Sequence, residues 1–211
     1  MKYKNYLIAV SFFLSLCPVG AQVPFVCRGQ SYLSLSSSNI SNSDLFLVDI
    51  NPVTQEVAFN ALAISIGANM NGIGYRSTDN LIYGVNPSPL YMNLYRIGAD
   101  GVAHDLGFPQ GLVLLGNYYY AGDVTPDGAY LVLLGQGNFD APEGILAFVD
   151  LDDPNYQVTN VPLIDYYDGI YDIAFDPYSG ELYGFSSENA HLIKINPSTG
   201  TIFGDYMVQP Q

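Results

Sequence analysis

Apolar residues along this chain come in short runs broken by polar turns, without the i, i+3, i+4 spacing of a helix. Three stretches line up: "GIGYRSTDNLIYGV" at 72–85, "GDVTPDGAYLVLLG" at 122–135 and "DIAFDPYSGELYGF" at 172–185. Each reads as an apolar strand, a turn rich in Asp, Asn, Pro, Ser or Gly, and a second strand of Tyr, Leu and Val, which is hairpin chemistry. Their starts lie 50 residues apart, from Gly72 to Gly122 and from Gly122 to Asp172.

A second strand–turn–strand element alternates with the first, at 45–59, 93–107, 145–161 and 191–204. Its first and last copies contain the echo "DINPVTQ" (49–55) and "KINPSTG" (194–200). Asn51 and Asn196 are 145 residues apart, close to three periods. Two hairpins per period of about 50 residues make a four-stranded antiparallel unit, the period and strand count of a β-propeller blade. Stacked blades cover both faces of each sheet, so "LVLLG" and "ILAFV" are continuous apolar runs rather than alternating ones.

The fold class is therefore all-β, a propeller-like tandem of three full units, 70–107, 119–161 and 170–207, after a partial unit, 31–59, that lacks its first strand. The segment 60–70, "NALAISIGANM", is read as strand or loop rather than helix. With no sequence to supply the missing strand, the chain is expected to be a fragment truncated at its C-terminus.

The first 21 residues stand apart. Lys2 and Lys4, an apolar run, Pro18 and a Val-x-Ala ending form a signal peptide, with cleavage expected before Gln22. The apolar run is too short for a stable membrane anchor. Lipidation of Cys17 is disfavoured by the bulky Leu16 before it. The expected location is secreted or at the cell surface, with no membrane insertion after cleavage.

Removing Lys2 and Lys4 leaves 4 basic against 20 acidic residues, a net of −16. Such a surface repels phosphate backbones and excludes nucleic acid as a partner. Cys27 is the single cysteine of the mature chain, so no internal disulfide and no cysteine-based metal site is available.

Candidate chemistry is sparse. Asp150, Asp152 and Asp153 crowd one turn that could offer oxygens to Ca2+, though without the spacing of an EF-hand; a solvated hairpin tip is the plainer reading. Asp165, Asp168 and Asp172 open the third full unit. Asp123 and Asp172 are read as equivalent positions on inner strands, so that with Asp168 they form the candidate metal or acid–base set. Turn capping by Asp beside Gly is the alternative. Tyr118, Tyr119 and Tyr120, and Tyr166 and Tyr167, are read as preceding inner strands. Tyr119, Tyr120, Tyr166 and Tyr167 are the candidate binding residues, either stacking on sugars or protein partners or filling blade interfaces. His104 and His191 fall in outer hairpins with no metal-ligand spacing.

The stretches "CRGQSYLSLS", "NGIGYRSTDNLIYGV", "NLYRIGADG", "DIAFDPYSGELYGF" and "LIKINPSTG" resemble a family of uncharacterised propeller-like domains at the front of exported bacterial proteins, especially of the Bacteroidota. Looser similarity extends to NHL, YVTN and quinoprotein-like propellers. The resemblance implies further domains in a longer parent protein and assigns no functional residues. Two functional readings follow. One is a non-catalytic module that scaffolds or binds a protein or glycan at the cell surface, without cofactor. The other is a metal-dependent hydrolase or lactonase-like propeller with a channel cation.

Overall fold

The echo between 49–55 and 194–200 is one turn built twice. Asn51 Oδ1 accepts the amides of Val53 and Thr54 at 2.9 and 3.2 Å, and Asn196 Oδ1 accepts those of Ser198 and Thr199 at the same distances. The turn closes by Gln55 N donating to Asn51 O, and Gly200 N to Asn196 O, both at 2.8 Å. Its last position needs a positive φ, 59° at Gln55 and 70° at Gly200. Glycine adopts that without strain, and glutamine does not. The acidic turn after residue 149 follows the same logic, with Asp150 Oδ1 accepting the amides of Asp152 and Asp153 at 2.9 and 3.1 Å. Asp150 is thus turned inward as a cap.

The computed structural model describes residues 22–26, 31–38, 41–88, 92–114, 118–136, 144–164, 169–186 and 191–207. The leader 1–21 and Cys27 lie outside them. Among the described residues there are fifteen β-strands and no helix. The partial blade is β1 (Ser31–Leu35), β2 (Asp44–Ile50) and β3 (Val57–Ala63), in that order. The first full blade is β4 (Asn71–Arg76), β5 (Leu81–Val85), β6 (Leu94–Ile97) and β7 (Ala103–Gly107). The second is β8 (Tyr118–Val124), β9 (Tyr130–Gln136), β10 (Ile145–Asp150) and β11 (Val158–Pro162). The third is β12 (Ile170–Phe175), β13 (Leu182–Ser186), β14 (His191–Ile195) and β15 (Ile202–Met207).

Every pairing within a sheet joins sequence neighbours and is antiparallel. The described residues therefore form a β-propeller of three four-stranded blades and one three-stranded blade. The inner strands β4, β8 and β12 lie side by side.

The cores are the seams between blades. Leu81, Tyr83, Val85 and Leu94 of the first full blade pack on Leu131, Leu133, Ala147 and Val149 of the second. The other face of the second, through Ala121, Val132, Leu134 and Leu146, packs on Ile173, Leu182, Ile193 and Ile195 of the third. All four residues 131–134 have no exposed surface, because alternate side chains enter opposite seams. Burying each such leucine contributes roughly 1.5–3 kcal/mol.

The segment after β3, from residue 64, runs as a loop, pinned by buried Ser43. The Ser43 hydroxyl donates to Met70 O at 3.2 Å and accepts Met70 N at 3.0 Å. The far faces of the partial and third blades carry exposed apolar side chains, Phe59 and Phe185 among them.

Candidate functional site

The inner strands share one irregularity. Along β8 the register jumps between Tyr119 and Ala121 while β9 advances one residue, which leaves Tyr120 as a bulge. Along β12 the jump between Ile170 and Asp172 leaves Tyr171 as the bulge. The register of β4 also slips, between Asn71 and Gly74. A bulge re-aims the side chain of the extra residue. Asn71, Tyr120 and Tyr171 line one concavity at the propeller axis, of about 360 Å3, together with Tyr32 to Ser34 of β1 and with Ile73, Gly122, Asp123, Asp172 and Ile173.

The register also corrects the expected equivalence of the two aspartates. Tyr75↔Ile82, Val124↔Leu131 and Phe175↔Leu182 are the matching pairs across the three hairpins. Counting back from them, Asp123 corresponds to Gly74 and Ala174, whereas Asp172 corresponds to Ala121 and Gly72. The aspartates are offset by two positions on neighbouring strands. Because side chains alternate with period two, both still reach the same concavity.

Asp123 is held by backbone amides. Its Oδ1 accepts from Val124 N at 2.8 Å, and its Oδ2 crosses to the third blade to accept from Phe175 N at 2.8 Å. Burial outweighs these bonds and lifts its pKa to about 6, and the nearby Asp172 charge adds to the rise. Asp172, capped by Ile173 N at 2.9 Å, keeps solvent access on one side. Partial desolvation raises its pKa as well. Each carboxylate oxygen retains acceptor capacity beyond its amide. The site therefore offers acceptors and ring faces.

Tyr120 is braced by Tyr118, whose ring stacks on it at 5.8 Å and 3°. Tyr171 is exposed. Tyr32 is set between Phe25 and Tyr75, with ring centres at 5.1 and 6.0 Å.

The sequence-predicted residues divide cleanly. Asp123, Asp172 and Tyr120 meet in the concavity. Tyr119 does not. It is fully buried in the seam between the first and second full blades, with its hydroxyl donating to Val113 O at 3.0 Å. The expectation of a ligand-facing Tyr119 is corrected, because the strand begins at Tyr118 and the bulge sends Tyr119 and Tyr120 to different surroundings. Asp165, Tyr166, Tyr167 and Asp168 lie outside the described residues.

In the acidic turn, Asp152 pairs with Arg76, and Asp153 accepts Asn155 N at 2.7 Å. Among the described residues no three His, Cys, Asp or Glu side chains are grouped to hold a metal ion. His104 sits on the outer strand β7, 3.8 Å from Asp100. Sequence reasoning missed Tyr171, Asn71 and Tyr32. The signal was present for the first: "YAGDV" (120–124) laid over "YDIAF" (171–175) superposes the two bulge tyrosines.

A repeat family described as "Repeat of unknown function (DUF6923)" matches residues 32–205. No curated protein matches the chain. Among solved structures, a putative 6-phosphogluconolactonase from Bacteroides uniformis shows 16% identity and a TM-score of 0.47, covering 89% of this chain and 56% of that one. An auxiliary nutrient binding protein from Bacteroides ovatus shows 15% identity and a TM-score of 0.47, over 85% of this chain and 42% of that one. AztD from Citrobacter koseri shows 13% identity and a TM-score of 0.41, over 84% and 46%. The chain spans about half the length of these structures.

Proposed function

The chain belongs to the DUF6923 repeat family, and we propose that it is an exported, non-catalytic binding module whose axial concavity takes a neutral, hydroxyl-rich ligand, the end of a glycan. The observation that carries this reading is the pair of bulge tyrosines, Tyr120 and Tyr171, lining one concavity with Asp123 and Asp172. Tyrosine rings stack on the apolar faces of sugars, and carboxylates accept sugar hydroxyls. Among the described residues that line the concavity none is Lys, Arg or His, which favours a neutral ligand over an anionic one.

Export rests on the leader at 1–21. Gln22, the expected first residue after cleavage, is packed into the domain. That side chain is buried, donates to Arg96 O and Val102 O at 3.0 and 3.2 Å, and accepts Arg96 Nε at 2.5 Å.

A second reading, the metal-dependent hydrolase, is favoured by one observation: the pKa of Asp123 near 6 suits a general acid or base. A panel of neutral oligosaccharides, followed by calorimetry on the best binder, separates the two. Binding that weakens at least tenfold in Tyr171→Ala, with an unchanged melting temperature, supports the glycan reading. One stoichiometric Ca2+ lost in Asp123→Asn, with turnover of a lactone, replaces it by the second. Saccharide binding untouched by Tyr171→Ala and Tyr120→Ala sinks the assignment to this concavity.

A further inference from the structure

The seam between the first and second full blades is filled at its rim by the chain itself. Arg76, at the end of β4, is 9% exposed. Its Nε donates to Gly128 O at 2.7 Å in the β8–β9 turn, and its guanidinium lies 5.9 Å from the centre of the Tyr83 ring. It pairs with Asp79 at 3.4 Å in its own turn and with Asp152 in the β10–β11 turn.

One blade further on, the hairpin register puts Thr125 where Arg76 stands. Thr125 is too short to cross the seam. Its hydroxyl is engaged within its own turn, donating to Asp127 Oδ1 at 2.6 Å and accepting from Tyr130 N at 3.0 Å. What remains is a cavity of about 500 Å3, bounded by that turn, by the third blade at Gly180 and Pro197, and by the side chains of Tyr130, Phe148 and Phe175. The Tyr130 and Phe148 rings meet edge to face at 6.1 Å and 77°.

We propose that this cavity is a docking pocket for an arginine side chain of a partner polypeptide, seated as Arg76 is seated one blade earlier. The walls suit both parts of that side chain. Proline and aromatic carbons cover its alkyl stem. Ring faces and the Asp127 carboxylate receive the planar cation. Asp127 is kept ionised, because bonds from Thr125 and from Ala129 N hold its pKa below the usual carboxylate range. The chain as a whole, at a net −14, attracts cationic segments and speeds their encounter. The pocket is distinct from the axial concavity, as Asp123, Tyr120 and Tyr171 do not line it.

The test uses N-acetyl-arginine methylamide against N-acetyl-citrulline methylamide, which has the same shape without the charge. Binding is followed by the ring resonances of Tyr130 and Phe148. Saturable arginine binding is expected, at least tenfold stronger than citrulline and at least tenfold weakened in Asp127→Asn. Thr125→Arg should fill the pocket from within, abolish binding and raise the melting temperature by a few degrees. Tyr171→Ala should change nothing, which keeps this outcome separate from the glycan reading. Equal binding of citrulline would reduce the pocket to a bare apolar groove and overturn the proposal. So would an absence of saturation, or binding that survives Thr125→Arg. A lower melting temperature in Thr125→Arg would show that the two slots are not alike, with the same result.

Discussion

The two seams between full blades are made from the same repeat and are closed in different ways. At the axis of the first, backbone meets backbone. A Cβ on Gly74 would lie 2.4 Å from Val124 N, and one on Gly122 would lie 2.6 Å from Gly72 O. At the axis of the second, a side chain does the joining, as Asp123 reaches across to Phe175 N. At the rim the contrast repeats, with Arg76 strapping the first seam and a cavity standing open in the second. The rim cavity therefore falls on the seam where the arginine is missing, and Asp123, which joins that seam at the axis, also lines the concavity that all four blades share.

The comparison breaks most sharply at Gly74. Gly74→Ala should cost about 3 kcal/mol, since the added carbon meets main-chain atoms that cannot swing aside. That lowers the melting temperature by about 6–12 °C for a domain of this size. The matching position in the third blade is already Ala174, so Ala174→Gly should cost less than about 1 kcal/mol. Equal losses in thermal unfolding of the two variants would mean that the first seam does not depend on close backbone approach.

At the rim, Arg76→Ala is expected to destabilise by about 2 kcal/mol, because it strands the Gly128 carbonyl and removes a packed stem. Asp152→Asn should cost less than about 1 kcal/mol, since the Asp152 side chain is 72% exposed and such pairs contribute little. Denaturant midpoints of the two variants sharpen the view that the strap works through its buried bond rather than its ion pair. A larger loss for Asp152→Asn would reverse it.

The pH dependence expected at Asp123 is smaller than the losses at Gly74 and Arg76. Its folded pKa of about 6 lies above the ~3.9 of an unfolded aspartate. Between about pH 4 and pH 6 the folded state therefore binds more protons than the unfolded one. The sign follows: this group's contribution to stability is highest below pH 4 and is lost as pH rises through 6. Since water reaches the concavity, about 1 kcal/mol of that dependence should be seen. The Asp123→Asn variant should lack it when melting temperatures are compared from pH 4.5 to pH 7.5. A wild-type and variant difference that stays constant across this range would remove the carboxylate from the account of the second seam.

Much of the architecture was legible in advance, since its signals are local. Asn51 and Asn196 cap identical turns, and a turn with strands of fixed length on either side sets a hairpin. The continuous apolar run at 131–134 announced a sheet covered on both faces. The site was legible only in part. Asp123, Asp172 and Tyr120 were found and Tyr171 was missed, while Tyr166 and Tyr167 lie outside the described residues. The error was one of register. A single bulge residue shifts which side chains face the axis, and nothing at 165–171 marks the bulge except its distance from the following hairpin. Tyr119 was misplaced for the same reason.

By itself, then, the sequence determined the all-β class, the period, the hairpins and their turns, because these depend on residues within a few positions of one another. The tertiary structure alone decided which strand faces met, where a glycine let two backbones touch, and that Arg76 crosses to Gly128 while Thr125 turns back on its own hairpin. Those outcomes join positions about 50 residues apart. They turn on differences of a single side-chain length, which a periodic pattern of apolar and polar residues does not record.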